Sequence, residues 1–299
     1  MSAIVHVDDR RFIFPSQAQA LAVPFEAVRD TIASSLKNAP VEITVVGAID
    51  DRDALEVVNA TFATLPNLPK APRIASGGDV LKFPAAVQAV ALTHKGRADQ
   101  SLSVRVWPVP DYLSDTHTSA GLILLRDIPS RRMFDQIREK LGQAYDPNVV
   151  VSQSMWFKGY GLFQAGASVP AGQDAAFESA LNAIIAELQN NPVSADELER
   201  VRKPVLEHHD NSRKENQYWL HLIAHGQDEP ARLAAEEKFE SEISSVTPVG
   251  VQILAKRYLV KDRAVHLKGA RHSGEGPLTS TGINQPQDAR RTPRPARCW

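Results

Sequence analysis

From Val87 onward the chain sets out its strand-like and helix-like runs in blocks, and that order constrains the fold more than any other feature. Two runs rich in β-branched residues come first, "VQAVALTHKG" and "SLSVRVWPVP", joined by a polar turn around Gly96 to Gln100. Two helical stretches follow, "SDTHTSAGLILLRDI" and "SRRMFDQIREKLG", the second closed by Gly142, a residue suited to the position just past a helix end. "NVVVSQSMWF" and "YGLFQAGASV" then read as strands of a hairpin turned at Gly159. Further helices come next: "DAAFESALNAIIAELQN", a long stretch "SADELERVRKPVLEHHDNSRKENQYWLHLIAH", "ARLAAEEKFESEI" and "TPVGVQILAKRYL". In the long stretch Ser194 and Glu197 form a capping box, and Pro204 predicts a kink. A closing strand, "AVHLK", ends at Lys268. Strands, then helices, then one last strand predict an α+β domain whose helices stack on one face of a sheet.

The first 65 residues pose a different problem. "FPSQAQALAVPFEAVRDTIASSLKN" reads as one or two helices around Pro24, and "VEITVVGA" (41–48) as a buried strand. Asp50 is placed to cap the next helix, which repeats apolar residues at Leu55, Val58 and Phe62. A proline- and glycine-rich linker over residues 66–79 closes this part. One strand cannot make a sheet, because its backbone donors and acceptors need neighbours. Residues 41–48 must therefore join the later sheet, or the rest of their own domain lies on another chain.

Composition excludes several classes. The formal net charge of −1 offers no electrostatic attraction to nucleic acid or to a membrane surface. No apolar run approaches the ~20 residues needed to span a bilayer, and "MSAIVHVDDRR" lacks the pattern of a signal peptide. Cys298 is the sole cysteine, so an intrachain disulfide and a thiolate metal site are both impossible. The reading is a soluble globular chain whose compartment is left open.

Candidate chemistry is sparse. "HLIAH" puts His221 and His225 four residues apart, the helical spacing of a zinc pair, but Leu222 and Ala224 stand where a zinc peptidase would carry its glutamate. Two histidines are also one ligand short, and the apolar pair between them suits a buried helix face. "EHHD" (207–210) reads as a solvated face: Pro204 blocks an inverted H-x-x-E-H, and neighbours on a helix point about 100° apart. "SSLK" (34–37) matches S-x-x-K without the companion motifs. No catalytic and no metal-binding residue is assigned. "MFDQIREKLGQAYD" is more informative, since Arg138 and Tyr145 bring a fixed cation and a phenolic donor to one helix end. Such a pair can hold a substrate carbonyl or a developing oxyanion.

That segment resembles the R-E-x-x-G-x-x-Y stretch of the pitrilysin/insulinase family of zinc metallopeptidases. "VEITVVGAIDDRDALEVVNATFATLP" resembles the end of one of the family's repeated domains, and "HKGRADQSLSVRVWPVPDY" the opening of the next. "VSADELERVRKPVLEHHDNSRKENQYWL" resembles a later helix with its R-x-E-N-x-x-W segment, most like the long bacterial probable zinc proteases. The resemblance covers residues 10–268. It implies a metallopeptidase-like αβ roll, with a mixed, mainly antiparallel sheet and helices on one face. It implies three parts: residues 1–68 as the remnant of a preceding domain, 69–268 as a complete non-catalytic domain, and 269–299 as a disordered tail.

By the same resemblance the chain is the substrate-binding half of a zinc-dependent endopeptidase. Arg138 and Tyr145 would grip the peptide, while a zinc-bearing homologous half or subunit brings the metal and the H-x-x-E-H motif, with no cofactor on this chain. The alternatives are an inactive assembly module of the same fold and a truncated gene fragment without activity of its own. Full-length relatives of this type are exported, which implies a periplasmic origin that these residues do not themselves encode.

Overall fold

A computed structural model describes residues 2–38, 41–63, 78–84, 89–94, 99–141, 147–224, 226 and 229–271, with residues 2, 3, 94, 136–141 and 271 as backbone only. The N-terminal part holds α1 (Ser2–Val5), a 3-10 turn (Arg10–Phe12), α2 (Gln17–Leu21), α3 (Phe25–Asn38) and α4 (Asp51–Phe62). Asp50 caps α4 as expected, its carboxylate accepting from the Asp53 N–H at 2.8 Å. Residues 41–48, expected as a strand, have no regular secondary structure and no place in the described sheet. The β-branched residues are there, but no strand among the described residues pairs with them.

The later part follows the block order. It runs β1 (Ala89–His94), β2 (Gln100–Val109), α5 (Thr116–Leu141), β3 (Asn148–Gln153), β4 (Gly161–Pro170), α6 (Asp174–Asn190), α7 (Ala195–Ser212), α8 (Asn216–Ile223), α9 (Pro230–Ser245), α10 (Pro248–Tyr258) and β5 (Val265–Arg271). The five strands lie in the order β1-β5-β2-β4-β3. Only β1 with β5 is parallel; β2–β5, β2–β4 and β3–β4 are antiparallel. The mixed, mainly antiparallel sheet of an α+β fold is what the family resemblance implied. The hairpin is present too, with Gly159 at φ +67° in its connection, a conformation open to glycine at little cost. β5 continues past Lys268 to Arg271, because pairing with β1 needs backbone rather than apolar side chains.

Two expected helices merge into one. α5 runs unbroken through Pro129, although a proline removes an interior hydrogen bond. Leu122, Leu124, Leu125 and Ile128 are fully buried around it, and α5 lies against β3, α6, α7, α9 and α10. Gly121 lets Leu254 of α10 close directly onto the helix. The long stretch after Ser194 divides instead, into α7 and α8, with Pro204 inside α7.

Helices α5, α6 and α10 cover one face of the sheet, where Trp107, Val109, Phe163, Ala165 and Val149 join Phe177, Leu181, Ile184, Val251 and Ala255 in the main core. The opposite face is smaller. There Val106, Leu162, Val265 and Leu267 are covered by Val5 and Leu81, with Ile4, Phe12 and Phe83 beside them. Residues 4–12 thus lie on the sheet of the later part. Arg11 secures them by pairing with Asp9 and donating to the carbonyls of Gly78 and Val80.

β2 carries an inversion. Its alternation points Ser103 and Arg105, not Leu102, toward the helices: both polar residues are buried, while Leu102 is 39% exposed. Arg105 pairs with Glu178 of α6 and donates to Asn182 Oδ1 at 2.5 Å, and Ser103 donates to Glu178 at 2.8 Å. His266 of β5 lies 3.8 Å from the same carboxylate. Burial, reinforced by the Arg105 charge, holds the His266 imidazole below its ordinary value of 6.5. Folding then favours neutral His266, so its contribution to stability is present above the unfolded pKa and is lost as pH falls through the depressed folded value. His266→Gln should therefore flatten the dependence of Tm on pH below about 6.5, and an unchanged dependence would assign it to another group.

Candidate functional site

The sequence points to the end of α5, and side-chain interactions hold that helix at its start and around Arg132. At its start the Asp115 carboxylate accepts from the Thr118 N–H at 3.1 Å and from its hydroxyl at 2.6 Å. The hydroxyl bond is the main reason Asp115 titrates below its ordinary 3.8. Nearby, the buried Asp111 carboxylate accepts from the N–H groups of Leu113, Ser114 and Gly159, tying the β2–α5 connection to the hairpin. Further along, Arg132 holds Glu197 of α7 through two 2.8 Å bonds and reaches Glu187 of α6 at 3.1 Å. Met133 beside it is fully buried.

Six residues beyond Arg132, the α5 backbone carries Arg138 in its closing turn. The Arg138 side chain and Tyr145 lie outside the described residues. The chain resumes into β3, which forms an edge of the sheet. Arg138 is thus carried by α5, and Tyr145 falls in sequence between that helix and the edge strand β3.

The remaining candidates separate. His221 is exposed on α8 with Gln217 beside it, 3.2 Å from Nε2, and His225 lies outside the described residues. α8 is half-buried rather than the buried face its apolar residues suggested. Ser34 and Lys37 sit on the exposed α3. Within 207–210, Glu207, His208 and Asp210 are exposed as expected, but His209 is buried at 6% exposure.

His209 is the residue sequence reasoning missed. Its Nε2 lies 2.8 Å from Glu236 and 3.1 Å from the Tyr218 hydroxyl, its Nδ1 3.4 Å from Glu240, and Phe239 stacks on the ring. Burial and the Glu236 charge push the Tyr112 hydroxyl up to about 12, and burial with a Glu236 hydrogen bond pushes Tyr218 well above its ordinary range. Both phenols therefore stay protonated, and the cluster fastens α7, α8 and α9 together. A signal existed in the sequence: Glu236 and Glu240 are one helical turn apart and share a face. The R-x-E-N-x-x-W segment shapes the same corner. Trp219 donates to the Arg213 carbonyl at 2.7 Å, and the Arg213 guanidinium lies over the indole and reaches Glu240 at 3.2 Å.

The described histidines of these motifs do not converge. His209 is committed to Glu236 and Tyr218 in the interior, while His208 and His221 are exposed on different helices. Among the described residues, no three of His, Cys, Asp and Glu group as metal ligands, and no helix is long and apolar enough to cross a membrane.

The five-stranded mixed sheet with helices packed on one face is the αβ roll of an α+β domain. Residues 22–205 match the model of the Peptidase M16 inactive domain. The chain belongs to this family, the pitrilysin/insulinase peptidases, as its non-catalytic C-terminal half.

It is 30% identical over 102 residues to the chloroplastic stromal processing peptidase of Pisum sativum, covering 34% of this chain and 8% of the pea protein. In fold it is similar to a conserved protein from Enterococcus faecalis V583, with TM-score 0.72 and 13% identity over 92% of this chain and 63% of that one. A protease from Helicobacter pylori gives TM-score 0.67 and 14% identity over 85% and 61%. The chain spans less than two thirds of the length of each.

Proposed function

We propose that this chain is the substrate-holding half of a zinc-dependent endopeptidase and works with a homologous zinc-bearing half or subunit. The match of residues 22–205 to the inactive domain of a peptidase family carries this reading. Arg138 and Tyr145 match the family's R-E-x-x-G-x-x-Y stretch and are assigned to grip a peptide near its scissile bond. Arg138 offers a forked cation and Tyr145 a single donor, both suited to a carbonyl oxygen that gains charge. A zinc ion held by the other half would supply carbonyl polarisation and water activation. Residues 69–268 are assigned to the complete non-catalytic domain and residues 1–68 to the end of a preceding one, while the strand that closes the sheet runs on to Arg271, past the bound expected for a tail.

The test combines this chain with the H-x-x-E-H-bearing half encoded in the same genome and follows a fluorogenic peptide. The mixture is expected to cleave it in a zinc-dependent manner, and neither component alone should do so. Cleavage by this chain alone would refute the assignment. A complex that forms but adds nothing to the rate of the zinc-bearing half would favour an assembly module.

A further inference from the structure

Helix α5 has a soft point in its interior. Pro129 has no N–H to give to the Leu125 carbonyl four residues back, so one rung of the ladder is missing while the helix runs on. Before that point Leu122, Leu124, Leu125 and Ile128, all fully buried, lock the helix into the main core. After it the apolar anchorage thins. Met133 is fully buried, but Arg131, Phe134 and Asp135 are exposed. The proline therefore separates a firmly packed first half from a second half with less apolar hold, and the second half carries Arg138.

Arg132 supplies a hold of another kind. Its side chain is 17% exposed, and its Nε and Nη2 donate to the two carboxylate oxygens of Glu197, each at 2.8 Å. Its Nη1 lies 3.1 Å from Glu187. Glu187 belongs to the last turn of α6. Glu197 belongs to the first turn of α7, where its N–H donates to the capping Ser194 hydroxyl at 3.0 Å. One guanidinium thus ties α5 to two neighbouring helices. A two-pronged pair of this kind fixes geometry as well as adding energy.

We propose that Arg132 is a positioning residue for substrate holding: through Glu197 and Glu187 it fixes the part of α5 beyond Pro129, and so sets where Arg138 stands. The proposal rests on the role given to Arg138 under Proposed function. Nine residues of helix lead from Pro129 to Arg138, a rise of about 13 Å. A tilt of roughly 10° at the proline would move the Arg138 backbone by about 2 Å. A misplacement of about 1 Å can cost about a hundredfold in rate. A small tilt is therefore enough.

The experiment is a double-mutant cycle on cleavage of a fluorogenic peptide by the assembled two-half enzyme, with kcat and KM measured separately. Arg132→Met keeps an apolar stem and removes the fork, and should lower kcat by about tenfold or more. Arg132→Lys restores the charge without the fork and should recover only part of that loss. In the Arg138→Ala background, Arg132→Met should lower kcat little further, because its effect passes through Arg138. A merely structural Arg132 would give the same factor in both backgrounds. That result, or an unchanged kcat in Arg132→Met, overturns the positioning role, and a loss in Arg138→Ala still leaves the peptidase reading standing. An Arg138→Ala assembly as active as wild type overturns both. Should Arg132→Met fail to fold, Glu197→Gln enters the same cycle, decided by the same outcomes, since it keeps the partner's volume and one of its two acceptor oxygens.

Discussion

Glu178→Ala is expected to destabilise the sheet-bearing unit by about 3–5 kcal/mol, the cost of leaving a buried charge without its partner. The charge in question is Arg105, 2% exposed on the helix-covered face of β2, with Glu178 itself only 13% exposed. Glu178 accepts from both Arg105 and Ser103, so its removal strands a guanidinium and a hydroxyl together. Asn182 still accepts from Arg105, but a neutral carbonyl cannot replace a carboxylate. For a unit of this size the loss corresponds to a fall in Tm of roughly 10 °C. The double replacement Arg105→Met with Glu178→Leu should recover most of it, since apolar side chains of similar volume need no partner. Denaturant unfolding of the three variants decides the matter. A single-variant loss below about 1 kcal/mol would mean that water reaches Arg105 after all.

That ion pair also marks where the sequence stopped being legible. The order of strands and helices was readable because each element's length and periodicity are local properties. The mixed sheet came only with the family resemblance, since nothing local places the closing strand between β1 and β2, where it is parallel to one and antiparallel to the other. The direction in which β2 faces was not readable. Leu102, Val104 and Val106 form the apolar alternate set, yet the helices take Ser103 and Arg105, whose partners Glu178 and Asn182 lie more than 70 residues away.

His209 was obscured for the same reason, its carboxylates standing on a helix 27 residues further on. Residues 41–48 failed as a strand in the opposite sense: their local propensity was right, and the neighbours that would express it are absent from the described chain. Pro129 shows packing overriding propensity, since five neighbouring elements hold α5 through a residue that would end an isolated helix. For the site, Arg138 and Tyr145 became candidates through a spaced motif rather than through geometry, and the structure adds the helix that carries Arg138 and the edge strand that follows Tyr145 in sequence.

The second large effect falls on Arg138, and it bears directly on the role of this half. If the guanidinium holds the carbonyl under attack, its interaction strengthens as negative charge develops on the oxygen, so its loss appears in turnover and not only in binding. Removing one such donor typically costs about a hundredfold. Tyr145→Phe removes a single neutral donor and should cost less. Arg138→Lys keeps the charge but not the fork, so it should recover only part of the loss.

The decisive measurement is kcat/KM for a fluorogenic peptide in the assembled two-half enzyme, with wild-type chain and with Arg138→Ala, alongside the melting temperature of each assembly. A fall of about a hundredfold, mostly in kcat and with the melting temperature unchanged, is the predicted result. Unchanged kcat/KM in an assembly that forms and melts normally would contradict the claim that this half holds the substrate.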